Sequence, residues 1–214
     1  VMLGFTSKQL MGVGIFLFMI FIGVPLIIGA TGRWDFYFTL TSVALLAIAS
    51  AGVWLTFYIG RINIGQGAFA LIGAYVSAIL VVNAGWSFWI SLPAAGLFAA
   101  IVAILIGLPI LRLRGVYFAM ITLVLTQVVT LTALALPITN GAKGISNIPL
   151  PSGISLFGIP ILPDFAGMEN TKMAFYYTAC IVMILTYSAL YRLVNSRLGH
   201  LCRSMQQNEE LASS

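Results

Sequence analysis

Six runs of about twenty apolar residues, each the length needed to cross roughly 30 Å of hydrocarbon, leave this chain few ways to fold. They cover residues 10 to 31, 36 to 58, 62 to 82, 88 to 111, 116 to 136 and 173 to 193, most of them joined by very short linkers. With 61% hydrophobic and 7% charged residues in 214, a water-soluble domain could not hide the apolar surface. The expected fold class is an all-α polytopic integral membrane protein with about six transmembrane helices. The first run follows Lys8, but it is longer than the apolar core of a secretory signal and lacks a clear cleavage site, so it reads as a retained helix. The chain starts at Val1 and ends "EELASS", and is expected to be incomplete at one end, the C-terminal one above all.

An even number of spans places both ends on one side. Lys8, Arg61, Arg112, Arg114, Arg192, Arg197 and Arg203 collect on that side. Arg33, Lys143 and Lys172 share the other with Asp35, Asp164 and Glu169. The positive-inside rule makes the first side cytosolic. The net charge of +5 is spread singly or in pairs; it orients the chain and forms no dense patch of the kind nucleic acid needs. The chain divides into a membrane region, 1 to 193, with an external Pro- and Gly-rich segment at 137 to 172, and a cytosolic segment, 194 to 214.

The chemistry of most enzymes is missing from the sequence. Cys180 lies in the sixth span and Cys202 on the cytosolic tail, His200 is the sole histidine, and no His/Cys/carboxylate cluster suggests a metal. There is no G-x-x-x-x-G-K-[ST] loop to cradle a nucleotide. A secondary carrier would ordinarily carry ionisable groups inside its spans; none lies securely inside one here. A noncatalytic scaffold or a degenerate fragment of a larger transporter stays open as the other reading.

The third span opens on polar groups, "RINIGQGAFALIGAYVSAIL". On a helix, Asn63, Gln66, Gly67, Ala70, Gly73, Ala74 and Ser77 share about a third of the circumference. The small residues suit close helix packing in lipid. The two carboxamides need a bent or unwound entry, or a wet cavity. Interhelical bonding accounts for them without any transport role; lining a path is the alternative. In the fifth span, Thr122, Thr126 and Thr130 form a hydroxyl stripe with Gln127 to its side. Threonines so placed bond back to their own helix, and a path-lining role for Thr122, Thr126 and Gln127 stands beside that reading. Arg112 and Arg114, closing the fourth span, are placed to anchor on lipid phosphates.

The segment "INIGQGAFALIGAY" resembles the signature of branched-chain amino-acid ABC import permeases of the LivM type, near L-S-x-G-H-x-A-F-x-x-I-G-A-Y, with Gln66 where that family commonly has histidine. "GLPILRLRGVYFAMITL" from 107 and "TNGAKGISNIPLP" from 139 resemble two further family segments, in the same order. Gln127 and Thr130 stand where the family often carries a glutamate and an arginine, which leaves the substrate open. The resemblance implies an inner-membrane permease, both ends cytosolic, importing branched-chain or related amino acids. It implies a second permease, commonly a paralogue, two cytosolic ATPases that bind the ATP, and a soluble substrate-binding protein; no cofactor belongs to this chain itself.

Two surfaces would meet those partners. On the external side Lys143, Asp164, Glu169 and Lys172 are the charges best placed to steer a binding protein. On the tail, Leu198, Leu201, Cys202 and Met205 fall on one helical face, and a break near Asn208 would start a second helix carrying Glu209 and Glu210. With Arg197, that elbow is similar to the coupling helices that the family seats in its ATPases. A tail lying on the bilayer is the other possibility, but its two basic and two acidic residues lack the cationic bias of such helices.

Overall fold

In the computed structural model the described residues are 20, 23–31, 34–113, 115–153, 155–156, 159–160, 171–197 and 199. They form six helices: α1 (Val24–Thr31), α2 (Phe36–Tyr58), α3 (Gln66–Val82), α4 (Phe88–Ile110), α5 (Val116–Ala135) and α6 (Thr171–Val194). Four of them, α2, α4, α5 and α6, are long and apolar enough to cross a membrane. Beyond the helices the described residues make two single 3₁₀ turns, Pro137–Thr139 and Gly141–Lys143, and one two-residue antiparallel pair, β1 (Ser155–Leu156) with β2 (Ile159–Pro160). The segment after residue 137, rich in proline and glycine, thus holds no long helix among its described residues, as its composition dictates.

The third span departs from expectation at its start. Residues 61 to 64 lie outside any helix or strand, and α3 has only 17 residues, a rise of about 25 Å. The chain enters α3 through this non-helical strap. Two of the polar residues are therefore placed differently from the helical-wheel reading: Gln66 opens the helix, and Asn63 lies outside it. The cause is local. α2 stops in a Schellman turn, with Gly60 at φ +85, its N–H on the Phe57 carbonyl at 2.9 Å and the Arg61 N–H on the Thr56 carbonyl at 3.0 Å. Only glycine takes that left-handed position cheaply.

Large apolar side chains face outward along every long helix: Phe38 is 72% exposed and Leu105 68%. In water such exposure would drive aggregation; facing lipid it has no penalty. What holds the helices together is accordingly small or hydrogen-bonded. α2 and α6 run parallel, because Asp35 pairs with Lys172, the Tyr37 ring meets the Tyr176 ring at 5.6 Å and a 52° tilt, and the Tyr187 hydroxyl donates to the Ala47 carbonyl at 3.1 Å, all in one register. Ile28 of α1 joins Tyr37, Tyr176 and Cys180 in a buried cluster, and the Tyr176 hydroxyl donates to the Ile20 carbonyl at 2.9 Å.

α3 lies against α2, α4 and α5. Toward α4, which runs antiparallel to it, Ser77 and the fully buried Ser91 share a hydrogen bond of 3.0 Å, and Ser91 also donates to the Phe88 carbonyl. Gly73 brings the α3 backbone close to Ala99: a Cβ there would stand 3.9 Å from the Ala99 methyl. Parallel neighbours α2 and α6 must be separated by an odd number of crossings, and α3, α4 and α5 satisfy this. The contacts also sort the charges by end: Arg61 reaches residues 111 to 113, and Asp35 meets Lys172, in agreement with the two groups read from the sequence.

Because Ser77 and Ser91 are each other's partners, Ser91→Ala is expected to lower stability in detergent by about 0.6 kcal/mol, the usual worth of an interhelical side-chain bond. Ser91→Leu should lose roughly 1–3 kcal/mol by overpacking. A melting-temperature series on the purified protein checks this; equal stability for all three proteins would rule the α3–α4 contact out.

Candidate functional site

The strap from Arg61 to Gly65 carries peptide groups that no helix satisfies, and inside a membrane such groups need partners. Side chains supply them. The Asn63 Oδ1 accepts the Gly65 N–H at 2.8 Å, a turn that asparagine makes with the chain two residues on. The Ile64 N–H donates to Thr122 Oγ1 at 3.1 Å, and Thr126 Oγ1 reaches the Ile64 carbonyl at 3.4 Å. Thr126 and Thr130 also bond back to the carbonyls of Thr122 and Thr126, at 3.2 and 2.8 Å. The hydroxyl stripe is thus self-satisfied as expected, with Thr122 and Thr126 also serving the strap.

Above the strap lies a cleft of 390 Å³ bounded by α2, α3, α4 and α5, with Thr56, Asn63, Gln66, Phe69, Phe118 and Thr122 on its walls. Asn63, Gln66 and Thr122 are the sequence candidates that the fold brings together. The Gln66 side chain sits against Gly52, where a Cβ would come within 3.0 Å of Gln66 Nε2; Gly52 is two turns or so from the end of α2, about 9 Å along its axis. Among the described residues nothing hydrogen-bonds the Gln66 carboxamide, and the Asn63 amide nitrogen is likewise unmatched. Uncharged polar groups left open at that depth are stable only in a wet cavity. A larger groove of 610 Å³ between α2 and α6 differs in this respect. Its Tyr187 and Ser50 hydroxyls are already bonded, both to the Ala47 carbonyl.

The other candidates are dispersed. Gly73 and Ser77 pack toward α4, whereas Gly67, Ala70 and Ala74 are exposed, Gly67 lying beside the Thr126 methyl. The single packing face expected for α3 is divided because the helix has neighbours on three sides. Gln127 is exposed on α5. Lys143 and Lys172 are both exposed, and the Lys172 ammonium pairs with Asp35 at 2.6 Å. Asp164 and Glu169 lie outside the described residues. So do Leu198, Leu201, Cys202, Met205, Glu209 and Glu210; Arg197 is exposed just past the turn that ends α6.

Arg61, Thr56 and Ser91 were missed as individual contributors. Arg61 read only as an orienting charge, although a glycine on each side of "RINI" marks a segment that can leave the helix.

Four helices long and apolar enough to cross a membrane, with large apolar side chains facing outward, define a multi-pass membrane protein. The chain belongs to the family described as the branched-chain amino acid transport system permease component, whose model matches residues 36–214. It is 34% identical to the high-affinity branched-chain amino acid transport system permease protein LivM of Escherichia coli K12, and equally to that of Salmonella typhimurium LT2. Each match covers 70% of this chain and 38% of the relative. No solved structure matches it.

The contact between Gly52 and Gln66 gives a test of the cleft. Gly52→Ala should destabilise by about 1 kcal/mol through crowding, and this penalty should disappear in a Gln66→Ala background. Gly65→Ala, whose Cβ would stand 3.3 Å from the Thr122 backbone oxygen, should not be rescued by Gln66→Ala. Thermal unfolding of the four-member cycle decides: an undiminished Gly52→Ala penalty would mean the two residues do not touch.

Proposed function

We propose that the chain is a transmembrane subunit of an ATP-driven importer for branched-chain or related amino acids, forming the translocation path with a second permease. Family membership over residues 36–214 carries the reading. The branched-chain amino acid transport named for the LivM relatives supports the substrate class. Two cytosolic ATPases would bind and hydrolyse ATP, and a soluble protein would deliver substrate on the side of Lys143. The membrane is the bacterial inner membrane, with both ends of the chain in the cytosol, as the positive-inside rule orients it.

Within that reading, Asn63, Gln66 and Thr122 line the path at the cleft. Their neutral donors and acceptors can exchange hydrogen bonds with a passing solute without holding it by charge. Gly67, Ala70, Ala74 and Gln127 are exposed on α3 and α5, available to helices of the second permease. Close approach over such small side chains is how membrane helices associate. The tail segment with Arg197, Leu198, Leu201, Cys202, Met205, Glu209 and Glu210 would seat in an ATPase.

The reading is tested by tagging the complete native reading frame, extracting it gently and identifying what co-purifies. Recovery of a P-loop ATPase and a second permease is expected. The chain alone, under conditions that preserve a control ABC complex, would overturn the importer assignment. Leu201→Asp or Met205→Asp should reduce the recovered ATPase at least tenfold while leaving membrane insertion intact, since each places a charge in the proposed contact. Full ATPase recovery would remove the coupling role.

In intact cells, Cys202 should resist a membrane-impermeant maleimide and react once inside-out vesicles are used. Labelling from outside would reverse the topology.

A further inference from the structure

The strap is fastened at its cytosolic end by one side chain. The Arg61 guanidinium donates from one nitrogen to the carbonyls of Leu111 and Leu113, at 2.6 and 3.0 Å, and lies over the Phe118 ring, 5.5 Å from its centre. The two carbonyls belong to the end of α4 and the turn after it. There helix carbonyls lack partners of their own and the helix dipole is negative, so a cation is held well. Leu111 and Phe118 also line the cleft, together with Asn63 of the strap itself. A single residue of the α2–α3 connection therefore ties two walls of the cleft together where they approach the cytosol.

The rest of the strap is held to those walls by weaker contacts. It is bounded by Gly60, at φ +85, and Gly65. Ile62 and Ile64 point outward, 54% and 47% exposed, and give no apolar anchorage. Its other fastenings to α5 are neutral hydroxyl bonds through Thr122 and Thr126, weaker than the charge-assisted pair at Arg61. Short non-helical segments between glycines absorb backbone rotation readily.

We infer that Arg61 is the latch of a cytosolic gate: bound to the Leu111 and Leu113 carbonyls it holds the 61–65 strap across the cytosolic side of the Asn63/Gln66 cleft, and its release opens that cleft to the cytosol. The movement's place in a transport cycle rests on the importer reading; the latch itself rests on the geometry. Lysine cannot replace the arginine fully, because an ammonium has no planar face to lay over the Phe118 ring.

The test measures access to the cleft. In the assembled complex in inside-out vesicles, with Cys180→Ser and Cys202→Ser as background, Gln66→Cys is labelled by a membrane-impermeant maleimide. Arg61→Ala should raise the labelling rate about tenfold, and Arg61→Lys should raise it by an intermediate amount. Ser77→Cys, on the α4-facing side of α3, should label at the same rate with or without Arg61. An unchanged Gln66→Cys rate overturns the latch, as does a parallel rise at Ser77→Cys, which would mean general loosening. If Arg61→Ala fails to insert, Arg61→Lys is judged by the same criteria. Amino-acid uptake by the unmodified complex separates the two ideas: absent uptake with the labelling contrast intact defeats the importer reading alone.

Discussion

A membrane offers a peptide group no water, so every departure from the helix must be matched by a partner from the protein. The strap at residues 61 to 65 is where this chain meets that demand, and much of the remaining arrangement follows from it. Asn63 turns back on Gly65, Thr122 and Thr126 take the Ile64 peptide groups, and Arg61 takes the carbonyls at the end of α4. Those bonds set α5 beside the start of α3 and set the α4–α5 turn below it. The cleft is the space left where a helix would otherwise have continued.

The same constraint explains the rest of the packing. Apolar surface gains nothing by being buried against other helices in lipid, so the long helices leave Phe, Leu and Val outward and meet through hydroxyls, small residues and a tilted tyrosine pair. The Ser77–Ser91 bond and the Tyr37–Tyr176 contact are of this kind. The Asp35–Lys172 pair at the opposite end of α2 contributes little by comparison, since the two side chains are 95% and 55% exposed and water screens them. It marks the register of α2 against α6 more than it fastens them.

The spans were legible because length and hydropathy are one-dimensional properties: 36 to 58 agrees with α2 residue for residue, and the ends of α4, α5 and α6 fall within two residues of expectation. The start of α3 was not, since a run of apolar residues and glycines fits a helix or a non-helical strap equally well by composition. What separates them is the left-handed Gly60 and the hydroxyl of Thr122, nearly sixty residues away. Asn63 and Gln66 were recognisable as polar groups needing an explanation, and of the alternatives stated for them the structure shows the non-helical entry, with both side chains on the wall of a cleft. The partner of Lys172 was not recognisable, because charge alone does not reveal which acidic group lies opposite.

The chemistry of the cleft bears on how a permease of the proposed kind could select its cargo. Its polar lining is neutral: two carboxamides and two threonines, both hydroxyls engaged with backbone groups. A zwitterion entering such a place finds hydrogen bonds but no fixed charge to oppose its own, so it is neither held tightly nor strongly discriminated by side-chain size against a wall of alanines and Leu125. Gln66 in place of the family's usual histidine fits this, as a carboxamide keeps the donor and acceptor but cannot titrate. On the importer reading, discrimination would reside in the delivering protein, and directionality in a gate such as the Arg61 strap, which is held by a charge-assisted contact.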